Sequence, residues 1–469
     1  MLKTESNPEL RRYDSIIDAI GNTPMVRLNR IPSGLDTPLW AKVEYLNPGL
    51  SIKDRMAVHI IEKARKEGNL SDTATIIENT SGNTGAAVAM VSAARGYRAT
   101  FTMPDKMSTE KVNSLKAYGA KVVVTPTNVP ADSPDSYYET AKRLVRETPG
   151  AFYLNQYHNE DNIEAHYNST GPEIWRQTEG QIDVLLGGVG TGGTMSGSGK
   201  YLKEQNPSIK VVGIDPEGSV FLDYFKSGEV IEPRAYKVEG IGEDMITGAM
   251  DFSVFDDMVR VDDRESFQMA RRLTTEEGIF AGGSAGAALA GAMKWLEANP
   301  GYECPVVILP DSGVKYLSKI YNDEWMRDNG FLAKAGERLG TVRDLLSDRP
   351  SGEIVTASKD DKVFEVVETL KKHAISQLIV VDGKDLVGVV NEADLLRHIM
   401  TSTNSIVEPV GSLAMRSVLE VSPDTALADV SEAFTTEGRK MAVVYNNGTI
   451  EGVVTKIDLI EYMSTKFRE

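Results

Sequence analysis

The stretch at residues 183–194, DVLLGGVGTGGT, joins an apolar β-branched run to a glycine-rich turn. The run at 183–186 predicts a buried strand, and a helical pattern opens after the turn. Glycines let the backbone approach an anion closely, and the amides and dipole of a helix N-terminus can hold a phosphate without a charged side chain. The threonine hydroxyls add donors. We therefore predict a phosphate site formed by Gly190, Thr191, Gly192, Gly193 and Thr194.

The same glycines also fit another ligand. Residues 188–193 have the spacing GxGxxG, and Asp215 closes a predicted strand 22 residues after Gly193, where a ribose-binding acid would lie. An NAD-dependent dehydrogenase is therefore an alternative for this stretch alone. It leaves Lys53, the segment at 80–85 and Ser312 unexplained.

Short β-branched runs alternate with helical patterns from about residue 15 to residue 330. The predicted strands lie at 74–78, 99–103, 121–125, 183–186, 210–215 and 305–309. The predicted helices lie at 56–67, 86–95, 111–118 and 265–277. This alternation predicts an α/β fold with parallel sheets that are covered on both faces. Ligands in such sheets bind beyond the carboxyl ends of the strands.

Lys53 lies between a turn at 47–49 and an amphipathic helical pattern. Ser51 is a candidate N-cap, with Asp54 three residues further on. A lysine near a helix N-terminus meets an adverse dipole, which disfavours the cation and helps to expose a nucleophilic amine. Such an amine suits a Schiff base with an aldehyde. An isolated lysine of this kind is ordinarily a surface residue, so this prediction depends on the other segments.

Residues 80–85, TSGNTG, join a predicted strand to a predicted helix. Their hydroxyl groups and amides, with the helix N-terminus, predict a pocket for the α-carboxylate of a substrate. Asn83 is placed to bond the phenolic oxygen of a cofactor ring. Taken alone, the segment would be an ordinary capped turn.

Ser312 ends the last predicted strand before residue 330. A neutral hydroxyl that faces a pyridine nitrogen leaves this nitrogen largely unprotonated, whereas a carboxylate would charge it. The weaker electron sink favours α,β-elimination over transamination. Alone, a serine after a strand is ordinary turn chemistry.

The bulk composition limits the class of protein. A chain of 469 residues with 41% hydrophobic and 25% charged residues is typical of a soluble globular protein with two to four domains. The net charge of −17 argues against binding to nucleic acid or to anionic membranes. No apolar stretch is long enough to span a bilayer and the start is not signal-like, so we expect a cytoplasmic protein.

Cys304 is the only cysteine, which excludes an internal disulfide and a zinc site built on several thiolates. We expect a packed, unreactive thiol at the entry to a buried strand. The five histidines show no ligand spacing. We therefore expect no metal site.

A repeat follows residue 340. Residues 331–340 predict a linker, and two copies of a strand–helix–strand–strand–helix pattern follow at 341–402 and 408–469. Asp394 and Asp458 occupy equivalent positions, 64 residues apart. The two copies resemble a tandem pair of CBS domains, a regulatory module that commonly binds adenosine compounds.

Several segments together carry a second resemblance, at 21–28, 51–55, 80–85, 190–194 and 309–312. They resemble fold-type II pyridoxal-phosphate enzymes of the cysteine synthase and cystathionine β-synthase group. Further stretches, at 126–134, 155–157, 215–219 and 238–242, are similar to the cystathionine β-synthase branch, as is the trailing CBS pair. The implied fold is a tryptophan synthase β-like core of two lobes at 1–330, whose smaller, mobile lobe spans about 84–160.

This resemblance implies pyridoxal 5'-phosphate as the cofactor and assigns roles to residues. Lys53 is the implied catalytic residue, which forms the Schiff base and later acts as acid and base. Residues 190–194 would hold the phosphate, Asn83 the phenolic oxygen and Ser312 the ring nitrogen. The implied substrate-binding residues are Thr80, Ser81, Gly82, Thr84, Tyr157, Gly240 and Gly242. The candidate regulatory residues of the CBS pair are Gln377, Thr455 and Asp458.

The implied reaction condenses L-serine with L-homocysteine, through an aminoacrylate, to L-cystathionine and water. Release of hydrogen sulfide from cysteine is also expected. An O-acetylserine-dependent cysteine synthase is an alternative, and an adenosyl-nucleotide-sensing scaffold with an inactive core is an alternative of another class. Glu243 follows Gly242 at a position where relatives often have an aromatic residue. The resemblance therefore does not assign the second-substrate pocket.

Three further expectations follow from the resemblance. No cysteine precedes Cys304, so the N-terminal Cys/His haem segment of some members is missing and we expect no haem. We expect S-adenosylmethionine or an adenine nucleotide as a ligand of the CBS pair, although a purely structural or dimerising module is an equal alternative. We also expect a homodimer or a higher homo-oligomer.

Overall fold

The chain divides into two compact units, and the boundary between them in the sequence falls between Phe331 and Leu332. The computed structural model describes residues 12–80, 82–105, 107, 109–130, 133–332, 340–347, 354–401, 404–415, 418–436, 439, 441–446 and 448–466. Ser81 and most of the predicted linker, residues 333–339, lie outside the described residues.

Two sheets form the first unit. Its strands are β1 (Met25–Leu28), β2 (Leu39–Val43), β3 (Thr75–Asn79), β4 (Arg98–Pro104), β5 (Lys121–Thr125), β6 (Ala151–Tyr153), β7 (Val184–Gly188), β8 (Lys210–Pro216), β9 (Asp257–Val261) and β10 (Pro305–Leu309). The larger sheet has the order β1-β2-β10-β7-β8-β9, and the smaller sheet has the order β5-β4-β3-β6. The β1–β2 pair is antiparallel and the other pairs are parallel. The predicted α/β fold with parallel sheets is confirmed.

Helices cover these sheets. They are α1 (Lys53–Lys66), α2 (Asn83–Arg95), α3 (Thr109–Ala117), α4 (Tyr137–Glu147), α5 (Asp161–Tyr167), α6 (Thr170–Gln177), α7 (Gly193–Gln205), α8 (Phe221–Ser227), α9 (Asp263–Glu277), α10 (Gly283–Ala298) and α11 (Asp323–Asp328). The helices predicted at 56 and 86 begin earlier, at Lys53 and Asn83. The first turns of α1 and α2 carry polar or small residues without apolar periodicity, so the pattern missed them. As a result, Lys53 and Asn83 each lie at a helix N-terminus.

The predicted cap of α1 is wrong. Ile52 precedes the helix without a side-chain cap, and the buried Ser51 hydroxyl has no hydrogen-bond partner in the described structure. Backbone pairing with the segment after β10 replaces the cap, because Ile52 N–H donates to Pro310 O at 2.9 Å and Ser51 bridges Asp311. The Asp54 carboxylate turns back and accepts from Gly49 N–H at 2.5 Å.

A buried ion cluster fixes α1 against β2 and α6. Arg55 Nε lies 2.7 Å from Glu44 Oε2, and Arg55 Nη2 lies 2.7 Å from Glu173 Oε2. Lys42 Nζ lies 2.9 Å from the same Glu173 oxygen. Burial alone would raise the pKa of Glu173, but Arg55 and Lys42 lower this pKa to about 2. The first turn of α1 is thus held by charges that cannot separate without leaving a partner unpaired.

The second unit contains the repeat. Its elements are α12 (Val342–Ser347), β11 (Thr356–Ser358), α13 (Val363–His373), β12 (Gln377–Asp382), β13 (Asp385–Asn391), α14 (Glu392–Ile399), β14 (Val418–Val421), α15 (Leu427–Thr435), β15 (Met441–Asn446), β16 (Thr449–Thr455) and α16 (Lys456–Lys466). The sheets have the orders β11-β12-β13 and β14-β15-β16. Ile379 and Val389 pack in one apolar cluster with Met441 and Val443, so the two copies share a core. The predicted repeat pattern is confirmed.

Three further features of the described residues concern the cysteine, membrane crossing and metal ligands. Cys304 is buried just before β10, as predicted, and burial raises the pKa of its thiol to about 11. Among the described residues, no helix combines the length and the apolar character that a bilayer crossing requires. The described part of the chain also has no cluster of three potential metal ligands from His, Cys, Asp and Glu.

We predict that Glu173→Gln destabilises the first unit by about 3–5 kcal/mol, because it leaves buried cations without a full counter-charge. Thermal and urea unfolding of the full chain would measure the change. Glu276→Gln is the matched control, since Glu276 pairs with Arg272 on the exposed surface of α9 and such pairs contribute about 0–1 kcal/mol. Equal midpoints for wild type and Glu173→Gln would contradict the prediction.

Candidate active site

Lys53 lies in a cavity at the carboxyl ends of the central strands. The cavity is lined by Ile52, Lys53, Gly188, Gly190, Thr191, Gly192, Thr194, Met195, Gly240, Ile241, Ile308 and Pro310. The structure therefore brings the predicted lysine together with the predicted phosphate turn. Burial lowers the pKa of Lys53, and the nearby carboxylates Asp311 and Glu243 oppose this only in part. A lowered pKa leaves more of the amine neutral and nucleophilic.

The turn between β7 and α7 can be built only from glycines at two positions. A Cβ on Gly190 would lie 2.8 Å from Gly240 O. Gly192 has a φ of +92°, and a Cβ there would lie 2.6 Å from Met250 Cα. The first-turn amides of α7 have no intrahelical acceptor. The glycine backbone and these amides thus form a concave anion site.

Side chains behind this turn hold the two threonines. Asn162 Nδ2 donates to Thr191 Oγ1 at 3.0 Å, and His166 Nε2 lies 3.2 Å from Thr194 Oγ1. Thr170 Oγ1 lies 2.8 Å from the other nitrogen of His166. Burial lowers the pKa of His166 well below its usual value, so the ring is neutral. The sequence analysis did not find Asn162 and His166, since neither lies in a motif.

Asn83 and Ser312 do not line the cavity but lie beside Asp311, which follows the cavity-lining Pro310. Asn83 Nδ2 donates to Asp311 Oδ2 at 2.8 Å, and Lys315 Nζ donates to Asn83 Oδ1 at 2.6 Å. The buried Asp311 also accepts from Tyr316 Oη at 2.7 Å. The Ser312 hydroxyl accepts weakly from Val314 N–H, at 3.4 Å. Asp311 and Lys315 are thus additional polar groups of the site, within or just after the LPDS segment.

Side-chain hydrogen bonds hold the segment at 80–85, which is predicted to bind a substrate carboxylate. Thr80 Oγ1 accepts from Gly82 N–H at 3.1 Å and from Gly85 N–H at 2.9 Å. Thr84 Oγ1 donates to Gln156 Oε1 at 2.6 Å. These two hydroxyls therefore shape the loop, and the first amides of α2 remain without an intrahelical acceptor. Ser81 lies outside the described residues.

Tyr157 lies in the segment after β6 and is not one of the residues that line the cavity. Its ring is buried and lies 5.9 Å from that of Tyr138. Glu78 fixes the backbone just before Tyr157, because the Glu78 carboxylate accepts hydrogen bonds from Asn155 N–H at 2.7 Å and from Gln156 N–H at 3.3 Å. Burial raises the pKa of Glu78 to about 8. Glu78 and Gln156 act on the site by positioning other groups.

Gly240 lines the cavity, and both Gly240 and Gly242 have left-handed backbone, at φ +89° and +75°. Gly242 N–H donates to Val189 O at 2.7 Å, which ties this segment to the end of β7. Just before it, Glu239 pairs with Lys111 from α3 and with Lys319 Nζ at 2.6 Å. Since Lys111 lies on α3, which packs against β5 of the smaller sheet, Glu239 links the segment before Gly240 to this part of the unit.

The geometry suits one kind of ligand. An amine of lowered pKa suits an aldehyde, and the adjacent glycine-lined helix N-terminus suits a phosphate. The cradle around Gly190 and Gly192 would be filled by any side chain at either position. The residues present therefore fit a phosphorylated aldehyde such as pyridoxal 5'-phosphate.

The comparisons with known proteins agree with this fit. The family described as pyridoxal-phosphate dependent enzyme matches residues 16–311, and the CBS domain matches residues 342–401 and 410–465. The cystathionine β-synthase of Dictyostelium discoideum is 38% identical over 467 residues, which cover 96% of this chain and 92% of that protein. This chain belongs to the cystathionine β-synthase family. It is thus a pyridoxal-phosphate-dependent enzyme, as the sequence resemblance implied.

Two solved structures are similar to about two thirds of this chain. A hydrogen sulfide-producing enzyme from Fusobacterium nucleatum is 36% identical with a TM-score of 0.61, over 66% of this chain and 99% of that one. An O-acetylserine dependent cystathionine β-synthase from Helicobacter pylori is 34% identical with a TM-score of 0.62, over 67% of this chain and all of that one. Membership of this family decides against the dehydrogenase alternative for residues 188–193. Asp215 instead accepts from Leu222 N–H at 2.9 Å.

The candidate regulatory residues lie in the second unit. Asp458 Oδ2 accepts from Thr455 N–H at 2.7 Å and from Thr455 Oγ1 at 2.6 Å, so the structure brings these two residues together at the start of α16. Gln377 begins β12, opposite Asn391 on β13. Asn391 caps α14 by accepting from Ala393 and Asp394 N–H. Gln377 thus belongs to the first copy, and the Thr455–Asp458 pair to the second.

We predict that Gly192→Ala weakens binding of pyridoxal 5'-phosphate at least about tenfold, because its Cβ would displace backbone of the cradle. Fluorescence titration of the apoprotein would measure the dissociation constant. Gly228→Ala is the matched control: its φ is also positive, at +73°, but its Cβ would meet no atom within 4 Å. Similar affinities for the two variants would show that the close approach does not matter.

Proposed function

We propose that this enzyme joins L-serine and L-homocysteine by β-replacement, giving L-cystathionine and water. The observation that carries the proposal is the part-buried Lys53 amine, which shares one cavity with the glycine-lined turn of α7. Release of hydrogen sulfide is part of the proposal when cysteine replaces serine. The similarity of the first unit to the hydrogen sulfide-producing enzyme from Fusobacterium nucleatum supports this second activity.

Pyridoxal 5'-phosphate, when bound, supplies the electron sink for the carbanion at the α-carbon of the substrate. In this proposal Lys53 holds the aldehyde, residues 190–194 hold the phosphate, Asn83 the phenolic oxygen and Ser312 the ring nitrogen. Ser312 is a neutral partner for that nitrogen, which suits elimination and replacement chemistry. We propose no haem and no metal.

Lys53 is also the group that would move protons. Its lowered pKa allows the neutral amine to take the α-proton and the resulting cation to return a proton to the leaving hydroxyl. Hydroxide is a poor leaving group, so the serine hydroxyl needs this proton to leave as water, whereas acetate leaves without it. A proton donor at this position therefore supports serine as the first substrate. O-acetylserine remains the alternative first substrate, because the chain is also similar to the O-acetylserine dependent enzyme from Helicobacter pylori.

The remaining site residues would bind and enclose the substrates. The amides at the start of α2, with Thr80, Ser81, Gly82 and Thr84, would orient the α-carboxylate of the first substrate. Tyr157, Gly240 and Gly242 would line the path to it. In this proposal the smaller lobe, at about 84–160, closes over the cavity to exclude water, and the pairing of Glu239 with Lys111 supports closure because it links the lobes.

Loaded wild-type protein should absorb in the visible range and form L-cystathionine from L-serine and L-homocysteine. We predict that Lys53→Ala loses both the absorption band and at least about 10³-fold in turnover, because no other described lysine lines the cavity. Absorbance spectra and product chromatography would measure the two effects. Lys66→Ala is the control, since Lys66 is exposed at the end of the same helix.

The same assay separates the alternatives. Faster turnover with O-acetylserine and sulfide than with serine and homocysteine would move the assignment to a cysteine synthase. A wild-type protein that stays colourless with the cofactor would support the sensing scaffold with an inactive core. Scanning both pairs of substrates on one preparation distinguishes these outcomes.

For the second unit we propose that S-adenosylmethionine or an adenine nucleotide binds, with Thr455 and Asp458 facing the ribose and Gln377 at the equivalent region of the first copy. A hydroxyl and a carboxylate suit ribose hydroxyls. Neighbouring copies of such a module would also support a homodimer or a higher homo-oligomer.

We predict that one of S-adenosylmethionine, AMP and ATP raises the thermal unfolding midpoint of the full chain, as mass action requires of a ligand that binds the folded state. Asp458→Asn should remove the shift. Asp424→Asn is the control, because this exposed carboxylate pairs with Arg343 elsewhere in the same unit. Without a shift for any of the three compounds, the module is structural or dimerising.

A further inference from the structure

Glu243 is a carboxylate near the cavity that the proposed reaction has not yet used. It lies two residues after Ile241, which lines the cavity, and it is half-buried. Its N–H donates to Ser219 Oγ at 3.1 Å, and its carbonyl accepts from Val220 N–H at 3.1 Å. The backbone of Glu243 is therefore held independently of its side chain, next to the segment that lines the cavity with Lys53.

The carboxylate of Glu243 lacks a dedicated partner. Among the described residues, no side chain donates a hydrogen bond to it and no cation forms an ion pair with it. Lys53 is the cation whose charge acts on it, and the carboxylates Asp215 and Asp244 oppose this effect. Burial, with Asp244, raises the pKa of Glu243 to about 8. The site would gain free energy from a cation placed here.

The two substrates of the proposed reaction differ in the charged groups that remain free when they bind. The amino group of the first substrate is taken up by the cofactor, so only its carboxylate has to be recognised. A thiol amino acid that enters second keeps its α-ammonium group. Sulfide as the second substrate brings no cation, so it gains no attraction from a carboxylate. A second site for amino acids therefore needs a counter-charge that a sulfide site does not.

We propose that Glu243 binds the α-ammonium group of the thiol amino acid that acts as second substrate, and that it thereby selects this substrate over sulfide. The inference rests on the proposed function and specifies its second substrate. A charge-assisted hydrogen bond in a part-buried site is stronger than one in water, so it discriminates well. Glu243 is thus a specificity-determining residue, and Lys53 still moves the protons.

The test compares three nucleophiles at saturating first substrate, with the full chain loaded with pyridoxal 5'-phosphate. They are L-homocysteine, 4-mercaptobutanoate, which has the same length and carboxylate but no amino group, and sulfide. We predict that Glu243→Gln raises KM for homocysteine about tenfold or more and changes KM for the other two about twofold or less. Glu229→Gln, which removes the same charge from an exposed position that does not line the cavity, should change none of them.

A second readout separates this inference from the proposed function. The change in the absorption spectrum on adding serine or O-acetylserine alone reports the first substrate, and it should be the same in wild type, Glu243→Gln and Glu229→Gln. Equal losses for homocysteine and 4-mercaptobutanoate, or an equal effect of Glu229→Gln, overturn the role of Glu243 and leave the function standing. A wild type without any spectral response overturns the function itself.

Discussion

The buried ion cluster around Arg55 is the constraint on which the site depends. Arg55 lies two residues after Lys53, and its guanidinium is held between Glu44 and Glu173. The first turn of α1 therefore cannot shift without separating charges in a region of low polarity, which is costly. The backbone pairing of Ile52 with Pro310 holds the same turn from the other side. Together they place one lysine amine at the bottom of the cavity.

With Lys53 in place, the parallel sheets supply the rest of the site. The turn after β7 and the segment after β10 meet beside Lys53 because parallel strands end at the same edge of a sheet. The loop after β3 comes from the other sheet, and the bond between Asn83 and Asp311 connects the two. Helices α2 and α7 point their N-termini toward this region, which makes it suitable for anions. The cavity therefore combines one reactive amine with two anion-binding ends.

The charges in this region explain how a single lysine can serve several roles. Burial lowers the pKa of Lys53, while Asp311 and Glu243 counteract it, so the amine can exist in both protonation states. His166 stays neutral behind the phosphate turn and does not compete for the proton. The second unit has its own sheets and its own core clusters. Its chemistry can therefore be tested separately from that of the catalytic cavity.

The sequence by itself determined the α/β class, the repeat and the motif residues, because strand periodicity, glycine-rich turns and a reactive lysine are local properties. It placed the 190–194 turn and Ser312 after the strands that the structure has there, but it put Lys53 before the helix that Lys53 begins. It could not find Asn162, His166 or the partners of Arg55, which come from distant helices and carry no motif. It also misassigned Ser51 as a cap. Only the tertiary structure decided these points, because burial, desolvation and ion pairing depend on which segments meet in space.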